Sequence, residues 1–239
     1  QHLVNPELWW FDGDWEHDAK TWHAPLIRKK LLDFNPKTII NSRLQGYGDY
    51  ATPESSLPLK KLDGAAWELC MTLNENWGYQ PTDHRYKSAG QVIQILANCL
   101  SKGGNLLLDI APRADGSIPD EQVSVLKNLG RWTKKHAEAI YGTTAGLPAG
   151  LFDGPTVFSK NGEKLFLFLP KGQFGEIMLR GLDRKINRAY VVGSGQKLET
   201  EVYLKPYWQA APGVVFINLP QNLLDEEMTV ICLVLAKKG

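Results

Sequence analysis

The hydrophobic patterning of this chain changes once, near residue 142, and that change limits the fold more than any other feature. Before it, short apolar runs alternate with helical patterns. Leu8 to Phe11 reads as a strand. Leu26, Ile27, Leu31 and Phe34 lie on one face of a helix from Pro25 to Phe34 that Asn35-Pro36 would end, and Thr38-Ile39-Ile40 reads as the next strand. Ala65 to Leu73 reads as a third strand. Val92, Ile93, Leu96, Cys99 and Leu100 share a helical face closed by Gly103-Gly104, and Asn105 to Ile110 reads as a buried strand. A last helix starts with Pro119 and the acidic pair Asp120 and Glu121, the sign favoured at a helix N-terminus, and runs to about Ile140. About four strand-helix units around a parallel sheet result.

Beyond Gly142 the runs are β-like. Thr156–Ser159 and Lys164–Leu169 flank Asn161-Gly162, a hairpin signal, and Glu176–Leu179, Ala189–Val192, Val214–Leu219 and Thr229–Leu235 follow. The small-residue segment Gly142 to Gly150 has the composition of a linker. The expectation is an α/β part over residues 1–145 and an antiparallel β part over 146–239. Four units cannot close a (β/α)8 barrel, which takes eight units and roughly 250 residues. Either the chain belongs to a longer barrel protein, or its first part is an open α/β sheet.

Composition narrows the partner. Lys plus Arg number 27 against 26 for Asp plus Glu, so nothing electrostatic points to nucleic acid or an anionic membrane. No stretch reaches the roughly 18 apolar residues of a membrane span. The start shows no signal segment, but the first residue is not Met, which leaves an upstream start open. Cys70, Cys99 and Cys232 are odd in number, with Cys99 and Cys232 in apolar runs, and are expected as free thiols. Eight Trp and eight Tyr suit either an aromatic core or the apolar faces of sugars.

In Trp9-Trp10-Phe11-Asp12-Gly13-Asp14-Trp15 a carboxylate ends an apolar strand, with rings on both sides. Catalytic groups project from such strand ends in barrels, and a carboxylate walled by rings suits the nucleophile of a retaining glycosidase. The alternation Asp12, Asp14, Glu16, Asp18 also fits a solvated acidic turn, or a calcium loop, although His17 stands where an EF-hand requires Gly. The residues alone leave these readings open. His17, His23, His84 and His136 show no metal spacing or base-nucleophile pattern and read as surface or packing residues, and Lys102-Gly103-Gly104 lacks the Walker arrangement.

Taken together, the segments resemble the α-L-fucosidase family of retaining glycoside hydrolases. Trp10-Phe11-Asp12-Gly13 is similar to its nucleophile motif and Asn41-Ser42-Arg43 to its Asn-x-Arg. Gly48-Asp49-Tyr50-Ala51-Thr52-Pro53-Glu54 is similar to its Gly-Asp-aromatic-x-Thr-Pro-Glu segment. Trp67-Glu68, Asn76-Trp77-Gly78-Tyr79, the stretch from Lys102 to Leu108 with Pro112 and Asp115-Gly116, and Glu138 to Tyr141 match further elements in order. Asp109 stands where many members carry Asn, and Leu44 where Trp often follows the Arg.

The resemblance implies the second half of a (β/α)8-type barrel followed by a β-sandwich domain, with the first barrel half and its substrate-binding histidines lying on polypeptide absent here. It implies hydrolysis of terminal α-L-fucose from a glycan or glycoside by double displacement, needing no metal or organic cofactor. Asp12 would be the nucleophile and Glu54 the acid/base, with Glu68 in reserve. Trp10, Arg43 and Trp77 would bind substrate. A secreted, periplasmic or lysosomal address follows from the substrate class. Two rivals stand beside this reading: a non-catalytic carbohydrate-binding protein and an inactive fragment.

Overall fold

The computed structural model describes residues 4–58, 66–203, 207–208 and 212–237. The chain divides into two compact units. One runs up to Met71 and takes in Gly104–Leu107, and the other holds Thr72–Gly103 and continues from Leu108.

In the first unit, β1 (Leu8–Trp9) pairs in parallel with β2 (Ile39–Ile40), and α1 (Ala24–Phe34) connects them. Ala24, Leu31, Ile40 and Leu44 form a small core with Trp9, Phe11 and Trp22 packed on it, so Leu44 fills a buried place. A single parallel bridge from Asn41 to Tyr50 leads to β3 (Tyr50–Ala51), which pairs in parallel with β4 (Ala66–Thr72). β5 (Asn105–Asp109) is the third strand of that sheet. Trp67 of β4 is fully buried, and a Cβ at Gly104 would meet its ring at 2.2 Å, so only glycine permits this approach.

The second unit is layered. α2 (Ala89–Ser101) and α3 (Asp120–Lys135) cover one face of a six-stranded antiparallel sheet built from β6 (Thr143–Ala145), β7 (Thr156–Ser159), β8 (Lys164–Leu169), β10 (Ile186–Val191), β11 (Lys197–Leu198) and β14 (Thr229–Leu235). On its other face lies a three-stranded antiparallel sheet of β9 (Gly175–Arg180), β12 (Thr200–Tyr203) and β13 (Val214–Leu219). β8 is buried on both faces. Leu165, Leu167 and Leu169 enter the core between the sheets, while Phe166 and Phe168 meet Ile93, Leu100 and Trp132 of the helices. That is why β8 reads as an unbroken apolar run.

Several expectations are corrected. The first strand stops at Trp9 and the second begins at Ile39. β4 ends at Thr72, and the expected start at Ala65 lies outside the described residues. β5 is not a buried strand, since Asn105 is exposed and Leu107 keeps 38% exposure. α3 stops at Lys135, where the backbone N–H and Nδ1 of His136 both turn to the Trp132 carbonyl, and a 3-10 turn Ala137–Ala139 follows. The segment expected as linker contains β6, which pairs with β7 through Thr143 to Ala145. The Asn161-Gly162 hairpin joins β7 and β8 as expected, and the three cysteines are buried free thiols.

His136 is the buried histidine of this unit. Its ring lies 4.7 Å from that of Trp132, its Nδ1 donates to the Trp132 carbonyl at 2.9 Å, and its Nε2 is buried without a partner. Burial holds its pKa below the ordinary value, although the Trp132 carbonyl and Asp225 pull the other way. As pH falls below about 6.5, the unfolded chain takes up a proton that folded His136 does not yet accept, so stability is lost with acidification. Denaturant titrations at pH 7.5 and 5.0 should show a smaller pH-dependent loss for His136→Phe than for the parent. Equal losses in the two proteins would disprove the assignment.

Candidate active site

The site in the first unit grows from the ends of β1 and β2. Past Trp9 the ladder is continued by a side chain. Asn41, fully buried, accepts the Phe11 backbone N–H at 2.8 Å through Oδ1 and donates Nδ2 to the Phe11 carbonyl at 2.9 Å. Asp12 therefore leaves a braced backbone. Gly13 turns the chain with φ of 78°, in the left-handed region that suits glycine.

Arg43 joins what the sequence keeps apart. Its side chain is 13% exposed, NH1 donates to Asp12 Oδ1 at 2.8 Å, and NH2 donates to Glu54 Oε2 at 2.7 Å. Nε donates to the Thr52 hydroxyl at 3.2 Å, and the guanidinium lies 4.7 Å over the Trp10 ring. Burial opposes the Arg43 charge, but the bonds to Asp12 and Glu54 outweigh it and hold its pKa above the ordinary value. Glu54 is placed by its own backbone. It bridges in parallel to Cys70 of β4, with Cys70 N–H bonded to the Pro53 carbonyl and Ser55 N–H to the Cys70 carbonyl. The structure thus brings Asp12, Glu54, Arg43 and Trp10 together.

Glu68 projects from the middle of β4, half-buried. Burial pushes its pKa up, and the Trp10 indole N–H draws it partly back. That N–H makes no hydrogen bond of ordinary geometry and is buried, as is the Tyr50 hydroxyl. The Tyr50 pKa is pushed up to about 12, first by burial and then by the Glu68 and Cys70 charges. Burial thus disfavours the charged form of both Glu68 and Tyr50.

Two other carboxylates of the acidic run, those of Asp14 and Asp18, are occupied locally. Asp14 Oδ2 accepts the Gln45 backbone N–H at 2.9 Å, and Asp18 Oδ1 accepts that of Thr21 at 2.7 Å. Of this run, Asp12 is the carboxylate that meets Arg43. Among the described residues no group of three His, Cys, Asp or Glu is disposed to hold a metal.

Trp77 belongs to the second unit, on the loop that leaves β4, and is 46% exposed. That loop is organised by Asp83, whose Oδ2 accepts Asn74 Nδ2 at 2.8 Å, Asn76 Nδ2 at 2.7 Å and the Glu75 N–H at 3.1 Å. Sequence reasoning passed over Asp83 and the bracing role of Asn41. The signal for Asn41 was its place directly after β2; for Asp83 it was a carboxylate close to two asparagines.

Comparison with known proteins gives a consistent result. The family profile described as Alpha-L-fucosidase matches residues 2–138. An α-L-fucosidase of Dictyostelium discoideum is 32% identical over 151 residues, 58% of this chain and 32% of that protein. The plasma α-L-fucosidase of Pongo abelii is 30% identical over 223 residues, 82% of this chain and 46% of that protein. Among solved structures, α-L-fucosidase isoenzyme 1 from Paenibacillus thiaminolyticus aligns with a TM-score of 0.85 at 31% identity, covering 97% of this chain and 58% of that one. The mixed α/β architecture is shared with it, and this chain spans well under two thirds of the length of each of these relatives.

Asn41 offers a direct test of how Asp12 is positioned. Asn41→Ala would leave the Phe11 N–H and carbonyl without their partner, a loss of about 1–3 kcal/mol for buried polar groups left unsatisfied. Urea unfolding should register that loss, whereas a change within error would show that the brace is dispensable.

Proposed function

Because this chain belongs to the α-L-fucosidase family, we propose that it carries the nucleophile and the acid/base of an enzyme that removes terminal α-L-fucose from glycans or glycosides with retention of configuration. The observation that carries this reading is Arg43, which bonds Asp12 with one arm and Glu54 with the other. A guanidinium shared by two carboxylates keeps them at one site, as the pair of a retaining glycosidase must be.

In the first step an Asp12 oxygen bonds to the anomeric carbon as the glycosidic C–O bond breaks, and protonated Glu54 gives its proton to the departing oxygen. In the second step Glu54 takes a proton from water, the water oxygen bonds to the anomeric carbon, and the Asp12 ester bond breaks. Arg43 orients both carboxylates, and Trp10, held beneath it, offers an apolar wall to the sugar. Trp77 is a further sugar contact, suited to the C–H face and methyl group of fucose. No step needs a metal or organic cofactor. The plasma relative is in keeping with a secreted, periplasmic or lysosomal address.

In this reading the strands β1 to β5 are part of a (β/α)8-type barrel completed by polypeptide outside this chain, and the two antiparallel sheets of the second unit are the β-sandwich domain that follows. The exposed Leu8, Ile39 and Leu107 support it, since apolar side chains on short strands call for neighbours. The isolated chain should therefore turn over an aryl α-L-fucoside no faster than background. Robust turnover by it alone would overturn the completed-barrel reading.

A specific observation favours a second reading of the acid/base, namely Glu68, whose burial favours the protonated carboxyl that an acid must be. Kinetics separate the two. In the complete enzyme, Asp12→Ala should lower kcat by several orders of magnitude with partial rescue by azide. Trapping with a 2-fluorinated fucoside should label Asp12, and a label elsewhere sinks its assignment. Glu54→Ala should harm substrates with poor leaving groups far more than activated aryl fucosides. Equal losses on both would pass the role to Glu68 or to a residue on other polypeptide. A carbohydrate-binding protein without catalysis would bind fucosides with no turnover even in the complete protein.

A further inference from the structure

Trp77 is nearly half exposed and sits on a loop, so packing of its own ring does little to fix it. The loop is instead tied from within. All four contacts of the Asp83 carboxylate go to residues 74–76, which lead into Trp77, and to Arg85, which leads out of the segment: Asn74 Nδ2 at 2.8 Å, Asn76 Nδ2 at 2.7 Å and the backbone N–H groups of Glu75 and Arg85, each at 3.1 Å. Asp83 is 8% exposed, and three of its donors meet Oδ2 while the Arg85 N–H meets Oδ1, so both oxygens are engaged within the loop. The Asn76 amide first, then the other donors, hold its pKa at about 2 against the opposing effect of desolvation, so it stays ionised throughout the working range of any ordinary hydrolase.

Two further ties meet the same loop. Lys87 Nζ donates to the carbonyls of Thr72 at 2.7 Å and Asn74 at 3.2 Å, closing the base of the loop. Arg113 lies 5.8 Å over the Tyr79 ring on the far side of Trp77. Neither replaces Asp83, because neither reaches residues 75 and 76. A carboxylate is also the one side chain at this place that can serve all four donors, being acceptor-only on both oxygens. An amide there would set an NH2 group against N–H donors.

We propose that Asp83 is a positioning residue for substrate recognition: by gathering Asn74, Glu75, Asn76 and Arg85 on one carboxylate it fixes the conformation in which Trp77 is offered to the sugar, and so sets affinity for fucose more than the rate of the chemical step. This rests on the reading of Trp77 as a sugar contact. Asp83 itself touches no substrate.

The complete enzyme, as the parent and as Trp77→Ala, Asp83→Ala, Asp83→Asn and the double variant Trp77→Ala/Asp83→Ala, would be assayed on an aryl α-L-fucoside for kcat, KM and inhibition by free fucose. Asp83→Ala and Asp83→Asn should raise KM and the fucose inhibition constant about tenfold with a smaller change in kcat. In the Trp77→Ala background the Asp83 change should add little, because both act through one ring. Hydrogen exchange of the parent and Asp83→Asn should show faster exchange at residues 75 and 85 and unchanged exchange in β4, which separates loop release from unfolding. Multiplicative losses in the double variant, or a KM raised by Trp77→Ala but by neither Asp83 change, would overturn the role of Asp83 alone. If Trp77→Ala leaves KM and fucose inhibition unchanged, the sugar-contact reading falls and this inference with it.

Discussion

The geometry of the first unit depends on one cation. Arg43 is largely withdrawn from water, and a buried guanidinium is tolerable only when its donors are met by acceptors, preferably charged ones. Here they are met by Asp12, Glu54 and Thr52, which come from after β1 and from the β3 extension. The pairing turns three short, marginal strands into a single arrangement, because moving any one strand leaves a charge without its partner. Each strand is only two residues long and would contribute little by itself. The polar cluster thus specifies the alignment of the strands as well as the chemistry at their ends.

The second unit is built on the opposite principle. β8 and β14 are buried on both faces, with alternate side chains feeding two separate cores. Polar contacts also fasten the helices: inside the core Trp132 Nε1 donates to the Met228 carbonyl at 2.7 Å, and at the margin Asp225 pairs with Lys135 at 2.7 Å. Removing a margin contact costs a bond, whereas removing Phe166 or Phe168 opens a cavity in a core shared by helices and sheet. Such cavities cost about 3–5 kcal/mol.

What was legible in the sequence follows from these two principles. Long apolar strands and the Asn161-Gly162 turn were readable, since patterning and turn chemistry are local. α2 even carries an unread capping box, in which Ser88 and Gln91 satisfy each other's backbone N–H groups. Illegible were the elements that exist by pairing alone: β6, whose Thr-Thr-Ala sits between glycines, and the short β11 and β12 at sheet edges. Phe11 looked like strand because its side chain is apolar, yet its backbone is paired by the Asn41 amide and not by a neighbouring strand. The site residues were named from their resemblance to a family. Their convergence on Arg43 had no local signal, because Asp12 and Arg43 are 31 positions apart.

The contrast between Asp12 and Asp14 shows how the structure separates residues of the same type. Both follow β1 within a few positions, and composition cannot rank them. Asp14 has an Oδ2 committed to the Gln45 backbone N–H, and its carbonyl accepts Gln45 and Trp22 side-chain donors, so moving it would undo the loop that follows Gly13. Asp12 bonds only a side chain, through Oδ1, and its carboxylate keeps 57% exposure. A nucleophile must be held in direction yet free on one oxygen to form a bond. Asp12 meets both conditions, its backbone braced by Asn41 and one oxygen fixed by a cation, Arg43, whereas Asp14 is tied through its carbonyl and Oδ2 to the loop after Gly13 and meets no cation.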